Sequence, residues 1–108
     1  MSKYRSFDEV QEKYYRDHPE EIDEFLSIAF EDYASDKDTG ALLVQLRMIA
    51  RVKGVSTIAE AASMSRKGLQ KALSVDSKPR FESIATIMDA MGYNLMPQHK
   101  LDSDHHVN

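Results

Sequence analysis

Apolar residues recur along the chain at helical spacing, and the polar residues between them mark where each helix starts and stops. Ser6 and Glu9 form a capping box by their three-residue separation, and Phe7, Val10 and Tyr14 share one face, which predicts a short helix over residues 7–16. Pro19 suits the first position of a second helix, with Glu20 and Glu21 complementing the positive end of its dipole. Ile22, Phe25, Leu26, Ala29 and Tyr33 then repeat at i, i+3, i+4, i+7 and i+11. A third helix is expected over 39–53, capped by Asp38 and closed by Gly54, with Leu42, Leu46, Ile49 and Ala50 as its buried stripe and Leu43 alongside. Ser56 and Ser65 read as caps of two short helices, over 57–62 and 66–73, with only Ser63, Met64 and Ser65 between them. A sixth helix, over 81–91, presents Phe81, Ile84, Ala85, Met88 and Met91 and stops at Gly92; Tyr93 to Met96 could form a short C-terminal strand.

The pattern is that of an all-α protein. With 108 residues there is room for one small domain, or one domain with an appendage, and 42% hydrophobic against 30% charged residues excludes a disordered chain. The polar, Asp-rich stretch from Ser35 to Thr39 divides the chain into an N-terminal helical extension, residues 1–38, and a domain over residues 39–97. Residues 98–108 have nothing to bury and read as a disordered tail. The absence of cysteine excludes a disulfide scaffold, a thiolate zinc site and a cysteine nucleophile. No apolar run approaches the roughly 18 residues of a membrane helix, and Met1 to Val10 is too polar for a signal peptide, so a soluble, cytoplasmic protein is expected.

A net charge of −4 argues at first against a nucleic-acid partner. Division by segment reverses that. Residues 1–40 hold 12 Asp and Glu against 5 Lys and Arg, net −7, whereas residues 41–97 hold 4 against 8, net +4. An acidic first third joined to a basic remainder points to two partners of opposite charge.

Within the basic part, the order Ala59, Ser63, Met64, Ser65, Leu69 has the spacing of a helix-turn-helix. Ala59 must be small where the second helix crosses, Met64 plugs the turn, Ser65 caps the second helix, and Leu69 and Leu73 hold it down. Its outer face carries Ser65, Arg66, Lys67, Gln70 and Lys71, groups able to read base edges in a major groove, since Arg pairs with guanine and Gln with adenine. Lys78 and Arg80 suit phosphate contacts that fix register. The plainer alternative for these cations is a solvated face.

The stretches Asp17-His18-Pro19-Glu20, Asp38-Thr39-Gly40-Ala41-Leu42-Leu43, Leu46-Arg47 and Ala50-Arg51-Val52-Lys53-Gly54 carry a further signal. With Ile58-Ala59-Glu60-Ala61, Met64-Ser65-Arg66-Lys67, Lys71-Ala72-Leu73-Ser74, Pro79-Arg80 and Ala90-Met91-Gly92-Tyr93-Asn94-Leu95, the chain resembles the addiction-module antidote proteins over roughly residues 14 to 97. These are prophage-type antitoxins of type II toxin–antitoxin pairs with a lambda-repressor-like helix-turn-helix. The resemblance implies a cytoplasmic, dimeric protein that neutralises a RelE-like ribonuclease toxin and represses its own operon at a palindromic double-stranded operator. Gly68 departs from the family, which usually has an acidic residue there, as do Gln70, Lys78 and Ser63.

Toxins of this class bind RNA and are basic, so the acidic extension is the expected toxin-binding arm, with Tyr14, Tyr15, Phe25 and Tyr33 as apolar anchors. A surface helix packed on the core is the competing account of residues 19–35. Dimerisation is expected through the C-terminal helix and Tyr93 to Met96, which would otherwise be exposed. His99, His105 and His106 beside Asp102 and Asp104 read as solvated tail residues, and the methionines as core packing, so no metal or cofactor is expected. Neither a Gly-rich phosphate loop nor a nucleophile beside a histidine is present, which argues against an enzyme. A stand-alone regulator of phage-repressor type, without a toxin, and a protein-interaction module that has lost DNA binding are the rival readings.

Overall fold

The central helix of the fold is the one whose sequence is most regular. The computed structural model describes residues 7–100 and places α1 at Phe7–Asp17, a single 3₁₀ turn at Pro19–Glu21, α2 at Ile22–Asp36 and α3 at Thr39–Lys53. There follow α4 at Val55–Ala61, α5 at Arg66–Ala72 and α6 at Phe81–Ala90, with no strand among the described residues. The Asp38 carboxylate accepts the Ala41 N–H at 3.0 Å, satisfying one of the donors that every helix start leaves free. Gly54, at φ 107°, ends α3 and lets the chain turn at one residue. Between these caps Leu43, Leu46 and Ile49 are fully buried, flanked by Leu42, Met48 and Ala50.

Both α1 and α2 pack on α3, which also carries α4; α4 in turn packs against α5 and α6. The second helix buries Ile22, Leu26 and Ala29 in the same cluster as Leu46, Ile49, Ile58, Leu69 and Ile87. Lys37, in the left-handed conformation at φ 55°, closes α2 by donating its N–H to the Tyr33 carbonyl at 2.7 Å, and Asp38 at once caps α3. The hydrophobic cluster therefore runs across the polar stretch around residue 38.

Phe7, Val10 and Tyr14 share a face of α1, and it is the exposed one, Phe7 at 74%; three other expectations are corrected. The helix meets the protein a fraction of a turn away, through Gln11, Glu12 and Tyr15. Tyr15 packs on Phe25 with ring centroids 4.9 Å apart, and the half-buried Arg51 donates from Nε to the Glu12 carboxylate at 2.6 Å. Ser6, the expected cap, lies outside the described residues. The fourth helix starts at Val55 with Gly54 at its cap position, so Ser56 sits inside the first turn and caps nothing. Phe81, at the first position of α6, is 76% exposed because the buried face is shifted toward Ile87, Met88 and Met91.

The expected strand at Tyr93 to Met96 is irregular chain, since no second strand is present among the described residues to supply a ladder. Tyr93 instead fastens the segment to α2, its hydroxyl donating to Asp23 Oδ1 at 2.6 Å while Lys53 lies 5.5 Å from its ring centre. Burial, and then the carboxylate beside it, push the Tyr93 phenol up to about 12. Leu95 packs against the core as well, so Met96, 77% exposed, is the one strongly exposed apolar residue of the four. His105, His106, Asp102 and Asp104 lie outside the described residues.

Candidate nucleic-acid interface

The second of two short helices and the loop after it carry five of the eight cations of residues 41–97: Arg66, Lys67, Lys71, Lys78 and Arg80. The α4–α5 turn is built by hydrogen bonds back onto α4: Ser63 N–H donates to the Glu60 carbonyl at 3.1 Å and Met64 N–H to the Ala59 carbonyl at 2.8 Å. Ser63 takes a positive φ of 57°, the conformation that a turn this tight requires and that glycine adopts more readily. Ala59 is buried, Met64 is half-buried against the core, and Leu69 and Leu73 fix α5 from beneath.

Ser65 begins α5. Its Oγ accepts the Gly68 N–H at 2.9 Å, and a Cβ at position 68 would lie only 3.0 Å from that oxygen. The cap and the two buried leucines orient the helix so that Ser65, Arg66, Lys67, Gln70 and Lys71 are all exposed. None of the four longer side chains has a hydrogen bond or ion pair among the described residues. The contrast with α1 is clear: there Lys13 pairs with Asp17 at 2.9 Å and Arg16 with Glu12 at 3.3 Å. Arg66 and Lys67 therefore stand free at the positive end of α5 and Lys71 in its last turn, with no carboxylate of the described residues paired to any of them.

Lys78 and Arg80 are exposed in the loop that follows. Sequence reasoning missed what holds this loop in place. Ser77 Oγ donates to the Ala72 carbonyl at 2.7 Å, one of the carbonyls left over at the end of α5, and Ser74 Oγ donates at 3.0 Å to the Lys71 carbonyl, which also accepts the Ser74 N–H at 3.2 Å. The repeated serine just past a helix end was the available signal. At the loop's other side Val75 rests on α3: a Cβ on Gly40 would lie 3.0 Å from the Val75 carbonyl oxygen and 3.2 Å from its Cγ2. Gly40→Ala must push that backbone away, and overpacking of this kind costs about 1–3 kcal/mol. We expect the unfolding free energy to fall by about 1–2 kcal/mol, read as a lower urea midpoint at an unchanged m-value, the helix-propensity gain of alanine offsetting part of the strain.

The residues expected to contact a toxin do not form one exposed patch. Tyr15, Phe25 and Tyr33 are half-buried against the core, and Lys37 lies 5.4 Å from the Tyr33 ring centre. Tyr14 is exposed, stacked on His18 at 4.1 Å and donating its hydroxyl to Glu21 at 2.7 Å, a bond that raises its pKa. Among the described residues no helix is long and apolar enough to cross a membrane, and no group of three or more potential metal ligands comes together.

These observations meet three comparisons with known proteins. No solved structure matches the chain. An uncharacterized protein of Haemophilus influenzae is 30% identical over 76 residues, 70% of this chain and 78% of that relative. A family profile described as probable addiction module antidote protein matches residues 3–99, which takes in all six helices and the turn between α4 and α5. The chain belongs to this family of addiction-module antidotes, the antitoxin halves of toxin–antitoxin pairs.

Proposed function

We propose that this antitoxin is a sequence-specific DNA-binding autorepressor that also neutralises a RelE-like toxin by direct binding. The observation that carries the DNA-binding half is the outer face of α5, where Arg66, Lys67, Gln70 and Lys71 stand exposed and unpaired beyond the Ser65 cap. In this reading α4 and α5 act as a lambda-repressor-like helix-turn-helix, and α5 enters the major groove by its N-terminal end. Lys78 and Arg80 then bind phosphates from a loop fixed to the end of α5 and to Gly40. A homodimer sets two such helices about 34 Å apart on a palindromic operator upstream of its own operon, in the cytoplasm of a prophage-bearing cell. The toxin-binding half rests on family membership and on the net −7 of residues 1–40.

The test is the salt dependence of binding to the upstream DNA. If Lys71, Lys78 and Arg80 of both protomers neutralise phosphates, the logarithm of the affinity falls against the logarithm of salt concentration with a slope of about −5. A slope near zero, or no binding at low salt, would exclude the interface.

A further inference from the structure

Among the described residues Phe81 is the most exposed aromatic side chain, at 76%, and it stands at the first position of α6. The helix buries Ile87 and Met88 and packs on α4, which leaves Phe81 uncovered and Ala85, one turn further on, only half-buried. The two share a flank of the helix by their four-residue spacing. A bulky ring beside a small residue suits close approach by another surface, and aromatic anchors of this kind dominate protein contacts. The ionisable residues around the ring alternate in sign, Asp76, Lys78, Arg80 and Glu82. All four are exposed, and none is in an ion pair among the described residues.

That alternation decides the partner. Two charges of each sign steer neither a basic protein nor a polyanion onto the ring, and Glu82 directly beside it repels phosphates. The same segment complements itself. When two copies lie antiparallel about a two-fold axis through Phe81, position 80 of each falls opposite position 82 of the other, so Arg80 meets a carboxylate on both sides of the axis. We infer that this flank of α6 is where two copies of the chain meet, ring against ring, with Arg80 of each paired to Glu82 of the other. The proposal rests on the dimeric reading. It moves the contact from Tyr93 and Leu95, which are committed to their own core, to the start of α6. It also sets the contact beside the phosphate loop: a guanidinium has several N–H donors and holds a carboxylate and a phosphate together, so pairing of the chains orders a residue that meets the operator.

The test measures self-association of the full chain by sedimentation equilibrium, without DNA. The wild type should dimerise. Phe81→Glu, which puts two carboxylates on the axis, should raise the dissociation constant about 100-fold at unchanged helix content, because the side chain it replaces is exposed. Arg80→Glu and Glu82→Arg should each weaken the dimer about 10-fold, and the two together, which reverse the pair, should restore it to within about threefold of the wild type. A wild type that stays monomeric at every concentration overturns the dimeric reading and the proposal together. A dimer that Phe81→Glu leaves intact, or a reversed pair no tighter than the single variants, overturns the interface while the dimeric reading stands. Loss of operator affinity in Phe81→Glu with self-association unchanged would make the ring a DNA contact and overturn the proposal as well.

Discussion

Reversing two charges at the start of α5, by Arg66→Glu together with Lys67→Glu, is expected to lower operator affinity by about 100- to 1000-fold without harming the fold. Removing one side chain's hydrogen bonds to a base costs about 1–3 kcal/mol, and every 1.4 kcal/mol is about tenfold in affinity. The introduced carboxylates add repulsion from the phosphates on top of the forfeited attraction. The same change is favourable within the protein, because both side chains are exposed, neither has a partner among the described residues, and acidic residues in the first turn complement the helix dipole by about 0.3–1 kcal/mol each. Stability and binding therefore move in opposite directions, which separates a direct effect on DNA from unfolding. Operator titration beside a thermal melt checks it, and a folded variant with wild-type affinity would move the interface off α5.

Much of the helix pair was legible in the sequence because its capping is local. The cap of Ser65 on the start of α5 and the bounds of α3 each depend on residues within a few positions of one another, and the structure has them where the sequence put them. What depends on distant partners was hidden. The Glu12–Arg51 pair spans 39 positions and the Tyr93–Asp23 bond spans 70, and nothing in either neighbourhood announces the other. Helical spacing places Phe7, Val10 and Tyr14 on one face of α1 but does not say whether that face is covered, which is settled by the neighbour. There α3 offers Arg51 to Glu12, and Tyr15 turns inward with it to pack on Phe25. The grip of Val75 on Gly40 is a backbone approach between segments 35 positions apart, which a single glycine in a helix start does not reveal.

Deleting residues 1–38 is expected to cost the remaining chain its cooperative fold, and DNA binding with it. A division by charge alone would predict the opposite, an acidic arm removed from an intact basic domain. The core does not follow the charge. Ile22 and Leu26 are each 3% exposed in one cluster with Leu46 and Ile49, and full burial of such a side chain is worth about 1.5–3 kcal/mol. Tyr15, Phe25, Phe30 and Tyr33 pack on the same cluster, and Asp38 caps α3, a bond whose loss costs about 1 kcal/mol. Together these approach the 5–15 kcal/mol by which whole domains are typically stable, and the truncated chain would in addition expose the apolar side of α3 to water. A fragment beginning at Thr39 should show no sharp thermal transition and no operator binding at temperatures where the full chain has both. A fragment that melts cooperatively and binds the operator would instead establish residues 39–97 as the folding unit, with α1 and α2 as ornament on its surface. The expected result ties the two functions through one core: whatever docks on α1 and α2 leans on the same Leu46 and Ile49 that hold α4, and through it α5, in place.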